Sequence, residues 1–128
     1  MSLKSPLRRV TYLGSAKGGS GHWFAQRVSA VALVLLGLWL VVALATMGGA
    51  SHANVVAWLS SPVAAAFAVL LVLVAAWHAM LGLQVVIEDY VGAKGQRLAV
   101  LLVVKFVFAV AAVIGVLSVL RIAFGVAA

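Results

Sequence analysis

Apolar and polar residues come in blocks along this chain. Val28 to Met47 is a run of twenty residues without a formal charge, Pro62 to Ile87 is one of twenty-six, and Leu98 to Leu120 is twenty-three residues broken only by Lys105. At about 1.5 Å of rise per residue, each can cross a hydrocarbon core roughly 30 Å thick as an α-helix. The punctuation agrees. Gly48-Gly49-Ala50-Ser51 ends the first run, Ser60-Ser61-Pro62 opens the second with proline near its first turn, and Gly92-Ala93-Lys94-Gly95 separates the second from the third. The pattern predicts an all-α integral membrane protein whose three transmembrane helices cover about residues 23–47, 62–89 and 97–124. They form one membrane domain, 21–128, behind a cytoplasmic N-terminal arm, 1–20, rich in Gly, Ser and basic residues.

A basic start followed by an apolar run also describes a signal peptide, and Ala43-Leu44-Ala45 resembles a cleavage site. An apolar signal core is about 7–15 residues long, so this longer run is read as a retained helix. Composition supports a bilayer: 66% of the 128 residues are hydrophobic and 9% charged, against roughly 45–50% and 25% in soluble domains. A soluble catalyst is excluded on that ground.

The formal net charge of +7 invites a nucleic-acid reading, but the cations sit at the edges of the apolar runs, where they set topology. Lys4, Arg8, Arg9, Lys17 and Arg27 precede the first run, and Lys94 and Arg97 lie between the second and third. None lies between the first and second. Because cytoplasmic segments are enriched in Lys and Arg, the N-terminus and the loop at Lys94 are expected in the cytoplasm. The uncharged loop around His52 and the C-terminus are then expected on the other side, with Arg121 dissenting. Cys is absent, which removes disulfides, thioether-attached haem and thiolate-held iron–sulfur clusters from this chain.

Two ionisable side chains lie well inside the apolar runs, His78 and Lys105. Charged or titratable groups at such depth are costly and point to function. Lys105 is roughly 10 Å of helix from Leu98, within reach of the headgroups for its long stem. His78 is about 15 Å of helix from Glu88. A neutral imidazole there has three uses: a hydrogen bond to a neighbouring helix, proton relay, or metal ligation. Around it stand Ala75, Ala76, Ala79 and Gly82, small residues that leave a groove for a flat macrocycle or let another helix approach closely.

Glu88-Asp89-Tyr90 closes the second helix and holds both acidic residues of the chain. Asp89 falls within about 20° of the face of His78 and roughly 16 Å further along. Tyr90 offers a neutral phenol that can donate to a carbonyl; as a simpler alternative, the trio is a wet helix end with an interfacial tyrosine. At the start of the first helix His22, Gln26 and Arg27 form a polar edge. There Arg27 is either a topological anchor or a fork of donors for an anion. His52 has no neighbours that suggest a site.

The stretch His78-Ala79-Met80-Leu81-Gly82-Leu83-Gln84-Val85-Val86-Ile87-Glu88-Asp89-Tyr90-Val91 resembles the signature of the smaller of the two hydrophobic membrane anchors of succinate dehydrogenase. There a His, a Gly four residues on, and an Asp-Tyr pair lie on the second of three helices. Gly21 to Ala30 resembles the family's first-helix start, with an Arg at the membrane surface. The resemblance covers residues 20 to 91, and the third helix by hydropathy.

The resemblance implies three helices packed with a second anchor into a haem-containing bundle in the inner (cytoplasmic) membrane. It makes His78 an axial ligand of the iron of a b-type haem, Tyr90 a hydrogen-bond donor to ubiquinone, Asp89 its support, and Arg27 a neighbour of the haem propionates or the quinone site. It carries no role over to His22. It implies as partners a flavoprotein that oxidises succinate, an iron–sulfur protein and the second anchor, besides membrane lipid and without nucleic acid. The chain would not be catalytic alone; it would contribute to the quinone site of a succinate:quinone oxidoreductase in the tricarboxylic acid cycle. Two alternatives stay open: a haem-free structural anchor of the same complex, and a small proton-conducting or transport protein using His78 and Lys105.

Overall fold

A computed structural model describes residues 17–49 and 51–125 of the chain. Four helices follow one another: α1 (Lys17–Thr46), α2 (His52–Leu59), α3 (Pro62–Tyr90) and α4 (Lys94–Ala123). Three of them are long and apolar enough to span a membrane: Ser20–Thr46 within α1, then α3 and α4. The expected all-α architecture of three spans is the one observed.

Helix ends are set by backbone chemistry, and so they depart from the hydropathy limits. Hydropathy marks how far the bilayer reaches, whereas a helix runs on until a cap or an unfavourable backbone angle stops it. Thus α1 starts at Lys17 and α4 at Lys94, both earlier than the apolar runs suggest. Residues 1–16 of the expected arm lie outside the described residues. At the far end of α1, Gly48 and Gly49 adopt φ of 65° and 130°, angles that side chains resist. At the start of α3 the Ser61 hydroxyl accepts from Ala64 N–H at 3.2 Å, with Pro62 in the first turn.

One expectation is corrected here. The segment around His52 is not a loop but the helix α2, capped by Ser51, whose Oγ accepts from Asn54 N–H at 3.2 Å. Trp58 on α2 meets Trp39 of α1 with ring centroids 5.1 Å apart, and Trp39 meets Phe67 of α3 at 5.2 Å. This aromatic cluster fastens the end of the bundle that lies away from Arg27.

Helix α3 is the central element. It packs against α1 on one side and α4 on the other, while the backbones of α1 and α4 do not come close among the described residues. The approach to α4 is close: a Cβ placed on Gly115 would lie 2.7 Å from Val72 Cγ1. Buried side chains are few, Leu36, Leu59, Ala64, Ala65, Leu81 and Ile87 among the apolar ones. Large apolar groups such as Phe24, Leu35, Phe106 and Ile114 face outward, as suits a chain solvated by lipid and by other helices.

Candidate functional site

The polar residues of α1 and α3 meet at one end of the bundle. On α1, Gln26 and Ser29 are three residues apart and therefore share a face; that face is turned toward His78 on α3. Ser29 Oγ lies 2.9 Å from His78 Nδ1 and donates to the Gln26 carbonyl at 3.1 Å. Gln26 Nε2 lies 3.3 Å from His78 Nε2. Ser29 is the one buried polar side chain among the described residues, and His78 is half-buried. The imidazole thus points at α1 and not into lipid.

A cleft of about 780 Å³ opens beside this network. His22, Gln26 and Arg27 line it from α1; His78, Gly82 and Glu88 line it from α3. The start of α1 and the end of α3 therefore lie at the same end of the bundle. Two buried polar atoms in it have no hydrogen-bond partner among the described residues, His22 Nε2 and Gln26 Oε1. Such atoms are costly unless something else satisfies them. A Cβ on Gly82 would meet only Gln26 Nε2, at 3.5 Å, so the wall next to the imidazole is open. Arg27 is exposed at the mouth, its guanidinium 5.5 Å from the Trp23 ring centroid.

The structure gathers His78 and Arg27 around one cleft and leaves Asp89 and Tyr90 outside it. Both are exposed at the end of α3, Tyr90 at 86%, so among the described residues nothing engages the phenol. Glu88 lines the cleft instead and accepts from Gln84 Nε2 at 2.8 Å. Of the small residues expected to leave a groove, Gly82 lines the cleft, whereas Ala75 and Ala79 face outward. Lys105 is exposed and has no part in the hydrogen bonding of His78, and His52 is exposed on α2. Ser29 is the functional candidate that sequence reasoning missed. Its signal was a hydroxyl inside an apolar run, one turn after Gln26.

Among the described residues no three His, Cys, Asp or Glu side chains converge as a metal site. The cleft offers two imidazoles, His22 and His78, a cation at the mouth and unsatisfied polar atoms.

An all-helical membrane protein of three spans, with a histidine-centred cleft at one membrane end, is the class these features define. The chain belongs to the succinate dehydrogenase/fumarate reductase transmembrane subunit family, whose model matches residues 1–116. It is similar to succinate dehydrogenase hydrophobic membrane anchor subunits. That of Rickettsia bellii is 43% identical over 94 residues, covering 72% of this chain and 74% of the relative. That of Rickettsia conorii is 33% identical over 103 residues, covering 80% and 82%. That of Paracoccus denitrificans is 32% identical over 108 residues, covering 84% of each.

Proposed function

We propose that this membrane anchor subunit holds a succinate dehydrogenase at the inner (cytoplasmic) membrane, contributes His78 to a b-type haem, and forms part of the ubiquinone-reduction site. The observation that carries the proposal is the placement of His78: an imidazole at membrane depth on α3, facing a cleft of about 780 Å³ that His22 and Arg27 also line. Its N-terminus would be cytoplasmic and its C-terminus periplasmic, with the cleft at the cytoplasmic end.

The residues present fit a haem shared with another subunit. His78 supplies one nitrogen donor, bare Gly82 leaves room beside it, and Arg27 can pair with a propionate through its fork of donors. The second axial ligand would come from the partner anchor. When bound, the haem supplies one-electron redox capacity between the iron–sulfur protein and the membrane.

Reduction of ubiquinone to ubiquinol takes two electrons and two protons. The electrons originate in succinate oxidation by the flavoprotein and pass through the iron–sulfur protein. At this chain the task is to hold a quinone carbonyl and to deliver protons. Tyr90 can donate to that carbonyl from the exposed end of α3. Asp89, its neighbour, supports the site by relaying protons from the cytoplasmic water.

Replacing Tyr90 by Phe in the complex is expected to lower succinate-to-quinone activity by at least about tenfold, the effect of one lost hydrogen bond of about 1.4 kcal/mol. Succinate oxidation by an artificial soluble acceptor stays at the wild-type rate. Equal loss of both activities would contradict the assignment of Tyr90 to the quinone.

A second reading, a haem-free structural anchor, draws on the fact that both ring nitrogens of His78 have partners within the chain. The optical spectrum of the gently solubilised complex separates the two. A low-spin b-type spectrum favours the first reading, and its absence favours the second.

A further inference from the structure

We propose that Ser29 is the positioning residue of His78: its hydroxyl fixes the imidazole as the Nδ1–H tautomer and presents the Nε2 lone pair as the ligating atom. The proposal rests on the reading of His78 as a haem ligand. It follows from counting protons. A serine hydroxyl has one proton to give, and Ser29 gives it to the Gln26 carbonyl at 3.1 Å. Its oxygen, 2.9 Å from His78 Nδ1, can then only accept, so Nδ1 carries the ring proton. Nε2 is left with a lone pair, which the Gln26 side-chain Nε2–H at 3.3 Å meets in this chain alone and which the iron would take in its place.

Comparison with the other hydroxyls sets Ser29 apart. Thr46, Ser60 and Ser118 each donate back to a carbonyl of the preceding turn and are exposed. Ser29 alone among the described residues makes this back-bond and also reaches a side chain on another helix, in a setting only 6% exposed. Burial keeps water from competing for the imidazole proton, and the back-bond locks the hydroxyl rotor. A ligating histidine whose second nitrogen donates to such a partner is held in orientation and made more basic. A more basic ligand favours the oxidised iron, so loss of the bond raises the midpoint potential.

The test uses the whole complex, purified in mild detergent, with Ser29→Ala, Ser29→Thr and His78→Ala. Haem transfer to excess apomyoglobin and a redox titration followed at the haem absorption band are measured on each. Ser29→Ala is expected to weaken haem retention by about tenfold, at the lower end of the range for outer-shell partners, and to raise the midpoint potential. Ser29→Thr, which keeps the hydroxyl, returns both toward wild type, while succinate oxidation by a soluble acceptor is unchanged throughout. If Ser29→Ala does not assemble, Ser29→Cys, similar in size and a weak acceptor, is measured in its place with the same expectation. Wild-type retention and potential in the Ala or Cys variant, or no recovery with Thr, overturn the role of Ser29. A wild-type haem spectrum in His78→Ala overturns the underlying ligand assignment instead, so the two failures are distinguishable.

Discussion

At the scale of single residues, Gly82 has the clearest steric role. An added Cβ there would come to 3.5 Å from Gln26 Nε2, an ordinary contact, so Gly82→Ala is expected to assemble normally. A larger group presses on the amide that faces His78 and fills the open side of the cleft. Gly82→Leu is therefore expected to lower the haem-to-flavin ratio of the purified complex severalfold while sparing succinate oxidation. An unchanged ratio would show that the cleft is not where the haem sits. His78 was legible in the sequence because an ionisable group in an apolar run stands out against its surroundings. Ser29 was not, because a hydroxyl scarcely disturbs hydropathy and its partner lies 49 positions away. Glu88 was legible as part of a polar trio, but its membership in the cleft depends on how α1 lies across α3.

Among the elements, the α3–α4 contact is the most demanding. The Cβ of Gly115→Ala would fall 2.7 Å from Val72 Cγ1, too close to stand. A β-branched side chain in a helix has essentially one rotamer to offer, so the helices must separate. The expected cost is about 1–3 kcal/mol, as for overpacked cores, read as a lower temperature of activity loss in detergent. Adding Val72→Ala should recover much of it, a coupling that a double-mutant cycle measures. Additive losses would mean that the two residues do not meet. The three spans were legible from run length alone. The helix α2 was not, since eight residues carry little periodic signal, and its evidence was confined to the Ser51 cap and the Trp58 contact. The starts of α1 and α4 were hidden for the related reason that no hydropathy change accompanies a helix continuing into the interface.

For the whole molecule, the prediction concerns its orientation across the membrane. The proposed orientation, drawn from the cation distribution, has the turn between α3 and α4 in the cytoplasm, and the absence of Cys makes this simple to test. Gly92→Cys and Ala53→Cys both replace exposed positions, one on each side. In intact cells a membrane-impermeant maleimide is expected to label Ala53→Cys and to reach Gly92→Cys only after permeabilisation. The reverse pattern would invert the topology and put the cleft at the periplasmic end. The outward-facing apolar surface was foreseeable from composition.

The ligand role of His78 is tested most directly by the low-temperature optical spectrum of the purified complex carrying His78→Ala, compared with wild type at equal flavin content. The account predicts that the low-spin b-type signal is lost or converted to high spin, with the soluble subunits still attached to the membrane. A low-spin signal of wild-type position and intensity would contradict it.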